Sequence, residues 1–197
     1  IALNLDPTSM TTVEVDQSQI GDVTAVSVVK DITVNQPGTH TFWCFTWNSG
    51  PALDAVSQLG SIVSAATAVA NNASITTQTD GLLVDANQVA SGGWFTSGDV
   101  TAKSIVKDIT NLTVDSSATA VANNLNISSQ VPGNLSNVAV VANVDQDSFM
   151  NVTAKSIVKD VSLSNYANLG GSFRPVVKST ATAVGNNLSV SVGVLKP

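Results

Sequence analysis

The sequence predicts an all-β fold, and three observations carry that expectation: the choice of small and β-branched residues, an alternation with period two, and internal repeats. Hydrophobic residues make up 43% of the 197 positions, yet only 5% are aromatic and 11% are charged. Val, Thr, Ser, Asn and Asp dominate, a mixture that favours strands and turns over helices. The apolar fraction is too high for wholesale disorder, and the length suffices for a core.

Charge and rare residues narrow the function classes. Lys+Arg number 8 and Asp+Glu 14, a net charge of −6, and Glu14 is the single glutamate. Without a basic run the chain lacks the footprint of phosphate-backbone binding, so nucleic acid is not an expected partner. Cys44 and His40 are the single cysteine and histidine. No intrachain disulfide or cysteine cluster can form, and most histidine-based catalysis is closed off. No apolar run approaches the roughly 18 residues of a spanning helix, so no membrane span is expected. The start at Ile1 fits a processed or trimmed N-terminus.

Two motifs alternate along the chain, three times each. Motif one runs Val23-Thr24-Ala25-Val26-Ser27-Val28-Val29-Lys30-Asp31-Ile32, returns as Val100-Thr101-Ala102-Lys103-Ser104-Ile105-Val106-Lys107-Asp108-Ile109, and recurs over 152–161 with Lys155, Lys159 and Asp160 in place. Motif two runs Ala118-Thr119-Ala120-Val121-Ala122-Asn123-Asn124-Leu125-Asn126-Ile127, with counterparts over 66–75 and 181–190. From motif two to the next motif one the interval is constant (66 to 100, 118 to 152), whereas from motif one to motif two it varies (23 to 66, 100 to 118, 152 to 181). The chain therefore reads as one repeat-built β domain over 1–197, with motif pairs at about 23–75, 100–127 and 152–190. Period-two repeats of this kind suit a β-solenoid or a β-sandwich, so the expected architecture is repetitive, antiparallel or solenoid-like.

Taken in order, Ile1, Leu3 and Leu5 alternate as a terminal strand. Motif one places Val100, Ala102, Ser104 and Val106 on one face and Thr101, Lys103, Ile105 and Lys107 on the other, where the lysines mark solvent. Such charges also guard strands against edge-to-edge aggregation, and a ligand-binding stripe is the second reading. An insertion at about 35–64 follows the first copy and holds His40, Phe42, Trp43, Cys44, Phe45 and Trp47. Pro51 to Val63 predicts a short helix, with proline in its first turn and Leu53, Val56 and Leu59 at roughly helical spacing. Motif two splits into a bulky face (Thr119, Val121, Asn123, Leu125, Ile127) and a small one (Ala118, Ala120, Ala122, Asn124, Asn126), which predicts a core on the bulky side. Asn71, Asn123 and Asn186 then share that face. Two arrangements satisfy them: amides bonded to each other or to a turn backbone, as in stacked asparagine ladders, or an Asn–Asn pair that bends the chain at a bulge or corner. The last strand offers Val190, Val192 and Val194 on one face.

Catalytic motifs are sparse. No glycine-rich phosphate loop, nucleophile elbow or zinc-protease motif occurs. His40 and Cys44 lie within one aromatic segment and read as packing, since a cysteine nucleophile needs a base and an orienting group assembled across the fold. Asp145 and Asp147 lack the oxygen set of a calcium site and read as a solvated turn. No cofactor and no metal are expected. Asn72, Asn111, Asn126, Asn134, Asn151 and Asn187 fall in glycosylation sequons, most of them a product of composition.

The phrases Thr180-Ala181-Thr182-Ala183-Val184-Gly185-Asn186 and Gly98-Asp99-Val100-Thr101-Ala102 resemble the Ser/Thr/Ala/Gly-Asn repeats of surface proteins that anchor the adhesive holdfast of stalked alphaproteobacteria. That resemblance implies a secreted, surface-associated, non-enzymatic protein that self-assembles and touches polysaccharide. The leading expectation is thus an extracellular structural protein polymerising into a fibre or surface layer. Candidate subunit contacts are Ile1, Leu3, Leu5, Val190, Val192 and Val194 by strand addition, and Phe42, Trp43, Phe45 and Trp47 as a buried anchor. A phage decoration or fibre protein of the virion is the alternative. A carbohydrate-active β-helix enzyme comes third, since it needs paired carboxylates across a groove.

Overall fold

The structure, a computed structural model, describes residues 10–33, 40–42, 45–47, 60–79, 81–93, 97–132, 139–162 and 176–195. They form eleven strands: β1 (Met10–Ile20), β2 (Val23–Thr33), β3 (His40–Phe42), β4 (Phe45–Trp47), β5 (Ser61–Thr77), β6 (Gly81–Ser91), β7 (Asp99–Thr110), β8 (Thr113–Pro132), β9 (Ala139–Ser148), β10 (Asn151–Ser162) and β11 (Val177–Leu195). No described residue is helical. Of the helix expected over Pro51 to Val63, residues 51–59 lie outside the described residues and Ser61 to Val63 open β5 instead. The expected insertion at 35–64 therefore ends earlier, because Ser61 to Ser64 already pair with Thr113 to Ser116. Among the described residues no helix is long and apolar enough to cross a membrane.

Three sheets of three strands hold the chain, in the orders β1-β6-β9, β2-β7-β10 and β5-β8-β11. Every pairing within them is parallel, which corrects the antiparallel expectation. The short pair β3-β4 is antiparallel. The cause lies in the order of visits. Each strand is followed by strands of the other two sheets before the chain returns beside it, so it re-enters in the same direction, as parallel pairing requires a long connection. Like residues then meet like: Val23, Val100 and Val152 align, and so do Ala66, Ala118 and Ala181.

The sheet β1-β6-β9 is a third repeat that the two motifs overlook. Val13-Glu14-Val15-Asp16-Gln17 aligns with Val84-Asp85-Ala86-Asn87-Gln88 and with Ala142-Asn143-Val144-Asp145-Gln146. Strands β6 and β9 fill the interval that the sequence keeps constant.

Corners are encoded by single residues. Asp31, Asp108 and Asp160 adopt φ of 58°, 55° and 53° at the ends of motif one. Aspartate tolerates this left-handed conformation better than most residues. At this corner the inward alternation of β7 shifts from Val106 to Ile109. The Lys30–Asp31 and Lys107–Asp108 ion pairs there are exposed, at 3.9 and 3.6 Å, and add little stability.

In motif two the alternation reverses midway. Ala118, Ala120 and Ala122 are buried, then Asn123, Leu125 and Ile127, so two successive residues, Ala122 and Asn123, both point inward. Thr119 and Val121 consequently face outward, which corrects their expected place in the core. Before the bend, small residues line a narrow interior with Val100 and Ala102. After it, Leu125 and Ile127 fill a wider one with Ile75, Leu82 and Val84. In motif one Val100, Ala102, Ser104 and Val106 are buried, and Lys103 and Lys107 lie on the other face.

The interior holds two unsatisfied hydroxyls among the described residues, those of Thr11 and Thr77. Thr77 is the more deeply buried, at 0% exposure against 5%. Thr77→Val removes its polar atom at nearly constant shape and is expected to stabilise the fold by about 1 kcal/mol, raising Tm by about 2–4 °C. Thermal unfolding followed by circular dichroism checks this, and a loss of stability would show that the hydroxyl has a partner in solution.

Candidate functional site

The distinctive feature of the molecule is a set of polar ladders that run across the strands. The first is made of serine. Ser27, Ser64, Ser104, Ser116, Ser156 and Ser179 form a continuous chain of hydroxyls, each step 2.8–2.9 Å. It zigzags between the motif-one sheet and the motif-two sheet, so β5, β7, β8 and β10 are each bonded to two strands of the facing sheet, and β2 and β11 to one. Ser64, Ser104 and Ser116 are buried, and at such sites a hydroxyl needs a partner. Every position supplies it from the same alternation slot of its repeat.

The second ladder joins Asn71, Asn123 and Asn186. Asn71 donates through Nδ2 to Asn123 Oδ1, and Asn123 donates through Nδ2 to Asn186 Oδ1, both at 2.8 Å. The remaining amide hydrogens go to main-chain carbonyls of the β1-β6-β9 sheet: Asn71 to Val89 O, Asn123 to Asp147 O and Asn186 to Gln146 O. Both arrangements expected for these asparagines thus coexist, because the ladder sits at the bend where the inward face changes. The adjacent Asn72, Asn124 and Asn187 form a parallel ladder outside, at 2.7 and 2.6 Å.

The third ladder is one that the two sequence motifs do not contain. Gln88 donates to Gln17 Oε1 and Gln146 donates to Gln88 Oε1, both at 2.7 Å, while each glutamine also donates to the carbonyl of Asn72, Asn124 or Asn187. A signal for it exists, since each glutamine follows an acidic or amide residue in a strand of the same spacing. That signal is faint because only the polar positions recur in all three copies. Stacked amides of this kind stabilise parallel in-register strands along their whole length.

On the outer face of the β1-β6-β9 sheet, amides bond to the carboxylates of the neighbouring strand. Asn87 donates to Asp16 at 3.4 Å and Asn143 to Asp85 at 3.1 Å. The β2-β7-β10 sheet repeats the device where Asn151 donates to Asp99 at 3.0 Å. In the column Asp16, Asn87, Asp145 the amide keeps the two acids apart, whereas Glu14 aligns directly with Asp85. Asp145 faces outward in the β1-β6-β9 sheet, and no group of three or more potential metal ligands gathers among the described residues.

Among the candidate contact residues, Val190 and Val192 lie on β11, 48% and 53% exposed. Val194 is in the same strand by its backbone. Phe42, Phe45 and Trp47 belong to the β3-β4 pair, where Phe42 pairs with Phe45 and His40 with Trp47 in register. Ile1, Leu3, Leu5, Trp43 and Cys44 lie outside the described residues. No protein-family model, curated protein or solved structure matches the chain.

Proposed function

We propose that the chain is a non-enzymatic structural protein, a short β-solenoid whose three sheets wind in successive levels, which self-assembles into a fibre or surface layer outside the cell. The observation that supports this most directly is the continuity of the ladders. Serine, asparagine, glutamine and backbone pairings repeat from level to level, and the buried serines, asparagines and glutamine bond to their own repeats and to the neighbouring sheets. Such a stack is built from nearest-neighbour contacts and is extended by repeating them. The extracellular setting rests on the repeat-level resemblance to holdfast-anchoring surface proteins.

Contact with polysaccharide fits the outer faces. Thr24, Thr101 and Thr153 align in one column and Thr67, Thr119 and Thr182 in another. Strand spacing sets their hydroxyls about 4.8 Å apart, a regular array for a repeating glycan.

Negative-stain electron microscopy and sedimentation velocity over a range of concentrations test the reading. Filaments or concentration-dependent oligomers are the expected result. A strictly monomeric species at high concentration contradicts it.

A further inference from the structure

The two ends of the stack are complementary to each other. Strands β1, β2 and β5 form one edge of the three sheets, and β9, β10 and β11 the other. All six present an unpaired edge of backbone groups among the described residues, and edges of this kind recruit further strands.

The far end carries the interior pattern without its cover. Leu188 and Val190 align with Leu125 and Ile127, which are 0% exposed, yet they are 47% and 48% exposed themselves. The reason is height. β5 is spanned by β1 and β6, since Gln17 of β1 donates to Asn72 O and Asn71 donates to Val89 O of β6. β8 is spanned in the same way by β6 and β9. β11 has β9 on one side and nothing described on the other.

The hydrogen bonds register this gap. Asn71 and Asn123 each donate to the carbonyl of the strand above, at Val89 and Asp147, which are aligned positions. Asn186 has no described strand above it and turns its amide back to Gln146 O of its own level. The aligned position in β1 is Ser18. Ladder polarity agrees. The inner asparagines donate toward the far end, and the glutamines and outer asparagines donate toward the near end. A near end brought onto a far end meets donors with acceptors in all three.

We infer that the far end, β9-β10-β11, is the docking surface for the near end, β1-β2-β5, of a second copy of this chain, joined head to tail and in register. This rests on the self-assembly reading above and specifies its geometry. In that join Gln17 of the second copy follows Gln146, Asn71 follows Asn186, and Ser27 follows Ser179. The Ser18 carbonyl takes the place that Val89 O and Asp147 O hold for Asn71 and Asn123, so that Asn186 turns to it from Gln146 O, and β1 and β5 of the second copy cover Leu188 and Val190 as their equivalents cover Leu125 and Ile127. The join also sets Asp145 beside Asp16 of the second copy, whereas within the chain Asn87 separates these aligned acids.

The test is a cross-link that only this join allows. Thr12 and Val141 both align with Leu83, and both are exposed, so substitution there spares the core. Within one chain they are two strand spacings apart, about 9.6 Å, beyond disulfide reach. Across the join they are neighbours at about 4.8 Å, within it. In a Cys44→Ser background, Thr12→Cys with Val141→Cys is expected to give covalent multimers after mild oxidation, and either substitution alone no more than dimers. Asp145→Asn is expected to lower the concentration needed for assembly several-fold.

Filaments that form without cross-linking overturn the head-to-tail register while self-assembly stands. A monomer under all conditions overturns both, and means that other parts of the chain cover the two ends.

Discussion

Ala120→Leu is expected to destabilise the protein by about 3 kcal/mol, lowering Tm by about 6–12 °C. Ala120 is fully buried in the narrow part of the interior, against a layer that includes Ala66, Ala68, Ala102 and Val100. Three further carbons have nowhere to go, because the facing strands are held by the serine chain at hydroxyl contact distance. The next residue is the control. Val121 points outward and is half-buried, so Val121→Leu is expected to change stability by no more than about 0.5 kcal/mol. Thermal or urea unfolding of the two variants decides between the faces. If Val121→Leu proved the more damaging, the inward face of the first half of motif two would be misassigned.

Asn123→Leu is expected to be comparably severe, about 3 kcal/mol, because it strands several groups at once. Asn71 loses the acceptor for one buried amide hydrogen, Asn186 Oδ1 loses its donor, and Asp147 O loses another. Asn71 is buried and cannot turn to water, whereas Asn186 is exposed and can. The neighbouring Asn124 makes an equally short ladder on the outside. Asn124→Ser is therefore expected to cost less than about 1 kcal/mol, since water replaces the lost bonds. Equal losses for the two variants would show that burial is not what gives the inner ladder its weight. Chemical denaturation with the midpoint compared at constant slope is the suitable measurement.

Much of the fold is legible in the order of the residues, and the places where it is not have physical causes. The motif-one alternation locates its buried face, since lysines at 103 and 107 stay on the solvent side. The motif-two alternation reads as unbroken, and that misplaces Thr119 and Val121. A period-two pattern identifies two faces but says nothing of a bend that exchanges them, and the Asn123-Asn124 pair is the visible clue to that bend. The antiparallel expectation fails for a related reason. Repeat spacing reports how often a motif returns, whereas the direction of return depends on how many other strands are visited in between. The third repeat is hard to see because its apolar positions vary among Val, Ala and Leu, while its glutamines recur at 17, 88 and 146.

Residue order suffices to establish that the chain is all-β, that its copies align with one another, and that Asn71, Asn123 and Asn186 are equivalent. Those properties follow from side-chain period and self-similarity, which are local and one-dimensional. The three-dimensional arrangement is needed to learn that the strands of the three sheets are parallel, that Ala118, Ala120 and Ala122 rather than Thr119 and Val121 face the narrow core, and that serine and glutamine join the asparagines in continuous ladders. Those depend on which strands lie at the same height across three sheets, a relation between segments dozens of residues apart that no single repeat encodes. The edges of the sheets belong to this second class. Leu188 and Val190 have the same sequence signature as the buried Leu125 and Ile127, and they differ in exposure because β11 is an edge strand with no described strand beyond it.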